Sequence, residues 1–294
     1  MKNIIGLLIL ACVSLNANAQ LLWKISGKGL SKPSYVVGTH HLVSASFADS
    51  INGLKKVMDE TSQVYGEILI SEATSPAFLQ EIQKYVVLPG DTTLKQLFTQ
   101  EQYEVVGKVV KENLMADIAM FNKVKPALIS QQLGVAAYMK NVGGFNPNDQ
   151  LDGYLQKHAL ESGKVVQGLE TIESQLNLLL KSQTLQRQAD LLYCMADNMK
   201  KGIEQAKKMT LLYKAQDIEG LFKLMEEREN TMCDQQPKEL EDLLDNRNKQ
   251  WVKKIPEIMK NSPTLFVVGA GHLAGKSGIL HLLRQQGYSI SPVQ

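Results

Sequence analysis

One seven-residue pattern recurs near the two ends of this chain, and it dictates much of what the chain can fold into. Val36-Val37-Gly38-Thr39-His40-His41-Leu42 and Val267-Val268-Gly269-Ala270-Gly271-His272-Leu273 each run from an apolar, strand-like segment through a glycine to a histidine three residues on. A glycine there lets the backbone turn tightly and approach a neighbour or a ligand closely. With 21 Gly and 5 His in 294 residues, chance supplies about 0.4 such spacings, and the shared VVG and HL flanks weaken coincidence further. Two histidines delivered at two strand ends can converge on one metal ion or one substrate atom. His41 and His272 are the candidates. His40 is the alternative to His41, because neighbours in an extended segment point to opposite sides. The bland reading, two strand-to-loop turns with solvated histidines, predicts no shared site.

The pattern around these copies is sheet at both ends of the sequence with helices between. Leu21 to Ser26 and Ser34 to Gly38 read as strands of a hairpin turning at Gly27-Lys28-Gly29. Gln63 to Ile70 reads as a third strand, Lys164 to Gln167 as a short fourth, and Thr264 to Val268 and Tyr288 to Pro292 as the last two. Helical spacing marks the segments between, including a long helical stretch from Glu170 to Met232 and a helix from Glu239 to Ile258. Met195, Met199 and Met225 fall on apolar helix faces and read as core filler, not as a cofactor box. The expected fold is α/β (α+β): a mixed central sheet built from N- and C-terminal strands and flanked by a large helical insertion.

Residues 1–19 read as a secretory signal, with Lys2 as the positive region, Ile4 to Val13 as the apolar region and Ala17-Asn18-Ala19 as the cleavage site. Export to the periplasm or the exterior is expected, with residues 20–294 as one domain. Ile9-Leu10-Ala11-Cys12 matches a lipoprotein box only loosely, the leucine fitting poorly, so lipid anchoring is the weaker expectation. No later stretch approaches the ~20 apolar residues of a membrane span. The net charge of +2, with no basic or acidic run, speaks against nucleic acid and anionic membrane as partners. Cys194 and Cys233 remain after cleavage, free to pair or to stay as buried thiols.

Glu67 lies inside an apolar run, where a carboxylate is costly unless paired, hydrogen-bonded or metal-bound. If the strands carrying Gly38 and Glu67 are neighbours, His41 and Glu67 meet at one sheet end. With His272 they form a two-histidine, one-carboxylate set that leaves positions open for water and substrate. Glu170, in Gly168-Leu169-Glu170-Thr171-Ile172-Glu173-Ser174-Gln175, is a candidate general base, although acids in a first helical turn also stabilise a helix. Arg247, followed by Asn248, can clamp a carboxylate or oxyanion. Gly269 to Ala274 and Ala270 to Ser277 imitate nucleotide-binding loops. The first lacks its following acid, and the second leaves too little chain after it for further strands and a magnesium-holding acid. No G-x-S-x-G nucleophile elbow is present.

Taken together, Gly38 to His41, Glu67, the Gly168 to Gln175 segment, Arg247-Asn248 and the ending from Val268 through Gly278 and Gly287-Tyr288 resemble the TraB/GumN family, which includes the TIKI metalloproteases. The resemblance spans most of the chain after residue 19. It implies a mixed sheet flanked by helices with two pseudo-related halves, as in erythromycin esterase-type and ChaN-type proteins. It implies a metal-dependent hydrolase of a peptide or small amide or ester. His41, His272 and Glu67 would hold a divalent ion of unknown identity, with Glu170 and Arg247 in support. The alternative is a metal- or haem-binding protein without turnover. The family position filled here by His40 is often apolar.

Overall fold

A computed structural model describes residues 20–73 and 75–293. The expected signal segment and Cys12 lie outside the described residues. Six strands, β1 (Leu22–Ser26), β2 (Ser34–Thr39), β3 (Gln63–Gly66), β4 (Val165–Gly168), β5 (Thr264–Gly269) and β6 (Ser289–Pro292), form one sheet in the order β4-β3-β5-β2-β1-β6. The four strands β4, β3, β5 and β2 run parallel, while β1 is antiparallel to both β2 and β6. The mixed sheet expected from the strand pattern is therefore present. β2 is buried at every position and β5 at all but its last, as befits parallel strands covered on both faces. Between β1 and β2, Gly27, Lys28 and Gly29 all take positive φ and open the seven-residue connection, residues 27–33, that reverses the chain.

Two apolar clusters organise the chain. The larger joins the sheet to helices Leu54–Glu60, Leu151–Glu161, Asn246–Asn261 and Ile279–Gln285, through residues such as Leu54, Leu155, Ile255 and Leu283. The smaller holds the helical insertion together, with Val106, Val110, Ile129, Leu133 and Leu192 at its centre. Among the described residues no helix is long and apolar enough to cross a membrane.

Several boundaries differ from the sequence reading. β3 stops at Gly66 instead of running to Ile70, so Glu67 is a post-strand residue and not a strand residue. The cause is Gln156. Its amide accepts from Ile70 N–H at 3.1 Å and donates to Ile68 O at 3.0 Å, replacing the ladder. The strands before His41 and Glu67 are not neighbours either, because β5 lies between them. The stretch expected to be helical to Met232 ends at Glu226.

Cys233 therefore sits in a loop, where it forms a disulfide with Cys194 on helix Leu185–Asp197. The bridge closes a separation of 39 residues. Chain-entropy reasoning assigns such a loop about 4 kcal/mol of stabilisation. Cys194→Ser/Cys233→Ser is expected to lower the urea unfolding free energy by roughly that amount. The unmodified chain should show the same loss in reductant, and the variant should show no further loss there.

Candidate active site

The four parallel strands end on one side of the sheet, and each hands one side chain to the loop beyond it. Glu67 follows β3 directly, Glu170 lies two residues past β4, His41 two past β2 and His272 three past β5. The crevice outside the carboxyl ends of parallel strands is where open α/β sheets place ligands. Gly269 marks the point of convergence. A Cβ built there would lie 3.2 Å from Glu67 Oε1, 3.6 Å from His272 Cδ2 and 4.0 Å from His41 Nε2. The two motif histidines and the acid thus share one small space. A methyl group at this position would press on the Glu67 carboxylate and require it to shift by a few tenths of an ångström.

Arg247 is the hub of this space. It sits at the start of helix Asn246–Asn261, directly after a π-helical turn over Glu241–Asp245, a local irregularity that recurs at functional sites. Its Nη2 donates to Glu67 Oε2 at 2.5 Å and to Glu170 Oε1 at 2.7 Å. Its Nε reaches both Glu170 oxygens at 3.2 Å, and its Nη1 donates to Leu243 O at 3.1 Å and to His272 Nε2 at 3.0 Å. A guanidinium has five N–H groups, and all five are spent inside the protein. Arg247 cannot clamp a substrate oxyanion, as expected from sequence, without giving up one of these bonds. The plane rests on Trp251, with Cζ 4.6 Å from the ring centroid.

Glu67 is equally engaged. Besides Arg247 it accepts from Gly269 N–H at 2.8 Å and from Gln175 Nε2 at 3.2 Å. Burial alone raises its pKa. The surrounding positive charge and the Gly269 N–H outweigh burial and hold the carboxyl at about 2. His272 is neutral near pH 7, so at that pH the positive charges beside Glu67 are those of Arg247 and His41. Glu67 is therefore ionised near neutral pH, with both carboxylate oxygens hydrogen-bonded.

The tautomer of His272 follows from its neighbours. Asn248 Nδ2 donates to His272 O at 3.3 Å and to Ser277 O at 2.9 Å, so its Oδ1 faces His272 Nδ1 at 2.7 Å. Nδ1 therefore carries the proton, and Nε2 accepts from Arg247. Burial lowers the pKa of this imidazole to about 3, which keeps it neutral.

His41 differs. Its Nδ1 lies 3.1 Å from Asp152 Oδ2, and Asp152 Oδ1 accepts from Thr39 Oγ1 at 2.5 Å. The Nδ1 edge is held against a buried acid, yet 61% of the His41 side chain is open to solvent. Asp152 raises the imidazole pKa to about 9. Nε2, the His41 atom nearest Gly269, makes no hydrogen bond among the described residues. His40 is turned away. Its Nδ1 accepts from Leu42 N–H at 3.1 Å, and its ring packs on Tyr213 and Tyr138 at centroid distances of 5.4 and 6.1 Å. Of the two adjacent histidines, His41 is the one at the convergence.

The TraB/PrgY/gumN family profile matches residues 21–292. The chain belongs to the TraB/PrgY/gumN family. No curated relative and no solved structure matches it.

In this TraB/PrgY/gumN protein the donor chemistry does not fit a resident divalent ion. His272 Nε2 has given its lone pair to Arg247, both glutamates are bound by the same guanidinium, and an added cation would stand against that fixed charge. Among the described residues no three His, Cys, Asp or Glu side chains are arranged to hold a metal. Asp152 is the residue that sequence reasoning missed. Asp152 and Gln156 are a buried polar pair one helical turn apart, beside the apolar stripe of Leu151, Leu155 and Ala159. Two polar residues bordering such a stripe at this spacing were the available signal.

Proposed function

We propose that the chain hydrolyses an amide or ester carbonyl, with His41 taking the proton from the attacking water and returning it to the leaving group. One asymmetry supports this most. Both ring nitrogens of His272 are spent within the protein, whereas His41 has Nδ1 fixed by Asp152 and Nε2 directed toward Gly269 without a partner among the described residues. A general base must be held in one tautomer and must reach the substrate, and His41 meets both demands. The Arg247 cluster contributes a preorganised field beside the reacting position. The neutral form of His41 is the base, so turnover rises with pH from neutrality toward the raised pKa of about 9. The disulfide and the reading of residues 1–19 support action in an oxidising compartment outside the cytoplasm.

The test is turnover of peptide amides and aryl esters by chelator-dialysed protein and by His41→Ala. Activity that survives the chelator and falls ~10²–10⁴-fold in His41→Ala is the expected result, the range for losing a positioned base. Activity abolished by the chelator and restored by a divalent ion would replace this reading with the metal-dependent one.

A further inference from the structure

A cavity of about 760 Å³ lies between the helical insertion and the strand-end site, and nothing above uses it. Met195, Met199, Met209 and Met225 line it, each only partly buried. The periodicity of Met195, Met199 and Met225 predicts core filler. Met195 and Met199 do pack against the core of the helical insertion, and with Met209 and Met225 they also line the cavity. Methionine, unbranched and polarisable, reshapes itself around different apolar partners at little cost.

Two contacts join the cavity to the site. Leu42, next in sequence to His41, is in its wall. Met225 lies against Gly271, beside His272: a Cβ at Gly271 would be 2.9 Å from its Sδ. The outer wall, residues 227–235, is fixed from two directions. The Cys194–Cys233 bridge ties it to helix Leu185–Asp197. Arg187 donates to Met232 O and Asp234 O, each at 2.6 Å, and pairs with Glu239 at 2.8 Å. A wall held in this way keeps the cavity in shape before any ligand arrives, which lowers the ordering cost of binding.

We infer that this cavity binds a flexible aliphatic chain of the substrate, on one side of the carbonyl presented to His41. The inference rests on the hydrolase reading for that carbonyl, while the binding itself needs no turnover. The volume lies within the range of small-molecule sites. Helices Pro126–Asn141 and Met199–Lys214 bring Gly134, Ala137 and Gly202 to the cavity, so the wall they form combines small residues with methionines, while the 227–235 segment adds polar side chains at the outer side. Each buried methylene then tightens binding about fourfold.

The experiment is titration of the full chain with N-phenyl-1-naphthylamine, followed by displacement with straight-chain acyl p-nitroanilides of increasing length. Saturable probe binding is expected, with anilide affinity rising about fourfold per methylene. Gly134→Phe fills the cavity; its Cβ would come no nearer than 3.9 Å, to Met195 Cε. It should weaken probe and long-chain binding about tenfold or more. Gly202→Trp, where nothing lies within 4 Å of the new Cβ, is the second blocking variant. His41→Ala should bind the probe as the natural chain does. A flat response to chain length, or unchanged binding in both blocking variants, overturns the pocket. Chain-length-dependent binding without hydrolysis of any anilide would instead sink the hydrolase reading and leave the pocket standing.

Discussion

Arg247→Met is expected to cost ~3–5 kcal/mol of folding stability, the loss that follows when a buried ion-pair network is broken from one side. The methionine keeps much of the volume over Trp251 but removes all five N–H donors, leaving Glu67, Glu170 and His272 Nε2 without their shared partner. The pH dependence makes the prediction specific. In the natural chain Glu67 has a depressed pKa of about 2 against an ordinary 4.5. Its contribution is present above the ordinary value and is lost as pH falls toward 2. Without the guanidinium burial dominates, and the carboxyl titrates above its ordinary value. Ionising it then becomes costly, so the deficit of the variant should widen as pH rises from about 5 to about 8. Urea unfolding at both values measures this. An equal deficit at the two pH values would show that Arg247 does not hold the charge on Glu67. Glu67→Gln added to Arg247→Met should recover part of the loss, since it removes the charge that was stranded.

Asp152→Asn should lower turnover by ~10²–10⁴-fold, as expected when a general base loses its working tautomer. The substituted amide would retain one acceptor for Thr39 Oγ1 and present its NH₂ to His41 Nδ1. His41 would then accept at Nδ1 and carry its proton on Nε2, the nitrogen that must take the proton from water. The residual activity should rise through a lower pH than in the natural chain, because Asp152 is the largest cause of the raised His41 pKa. A rate profile from about pH 5 to pH 10 decides this. An alkaline limb unchanged in Asp152→Asn would remove the dyad from the mechanism. The same pair also bears on stability. A histidine with a raised pKa contributes fully below its unfolded value near 6.5 and loses that contribution as pH rises through about 9. The natural chain should therefore gain activity and lose a little stability over one pH interval.

The parts of the site that were legible in sequence are those carried by local pattern. Glycine followed three residues later by histidine, after an apolar run, locates His41 and His272 without coordinates. An acid in an apolar run flags Glu67 for the same reason, since burial of that charge requires a partner. The identity of the partner was not legible. A carboxylate beside two imidazoles reads equally as a metal site or as an anion held by a cation, and the cation comes from Arg247, 180 residues away. Asp152 was harder still. In sequence it is one acid in the first turn of a helix, and its burial against Thr39 and His41 exists only once helix Leu151–Glu161 is seated at the ends of the strands. The choice between His40 and His41 was open for a related reason: alternation puts them on opposite sides without saying which side holds the site.

The chain's own pattern of apolar runs and glycine turns determined that its two ends build one sheet and that histidines emerge at strand ends, because periodicity and turn chemistry act over a few residues. Only the tertiary structure decided that β5 inserts between β2 and β3, that one guanidinium fills the space among Glu67, Glu170 and His272, and that, of the His41 and His272 ring nitrogens, it is His41 Nε2 that makes no hydrogen bond among the described residues. Those outcomes depend on which donor reaches which acceptor across distant segments. A buried donor or acceptor is satisfied by whatever packing brings near, not by its neighbours in sequence.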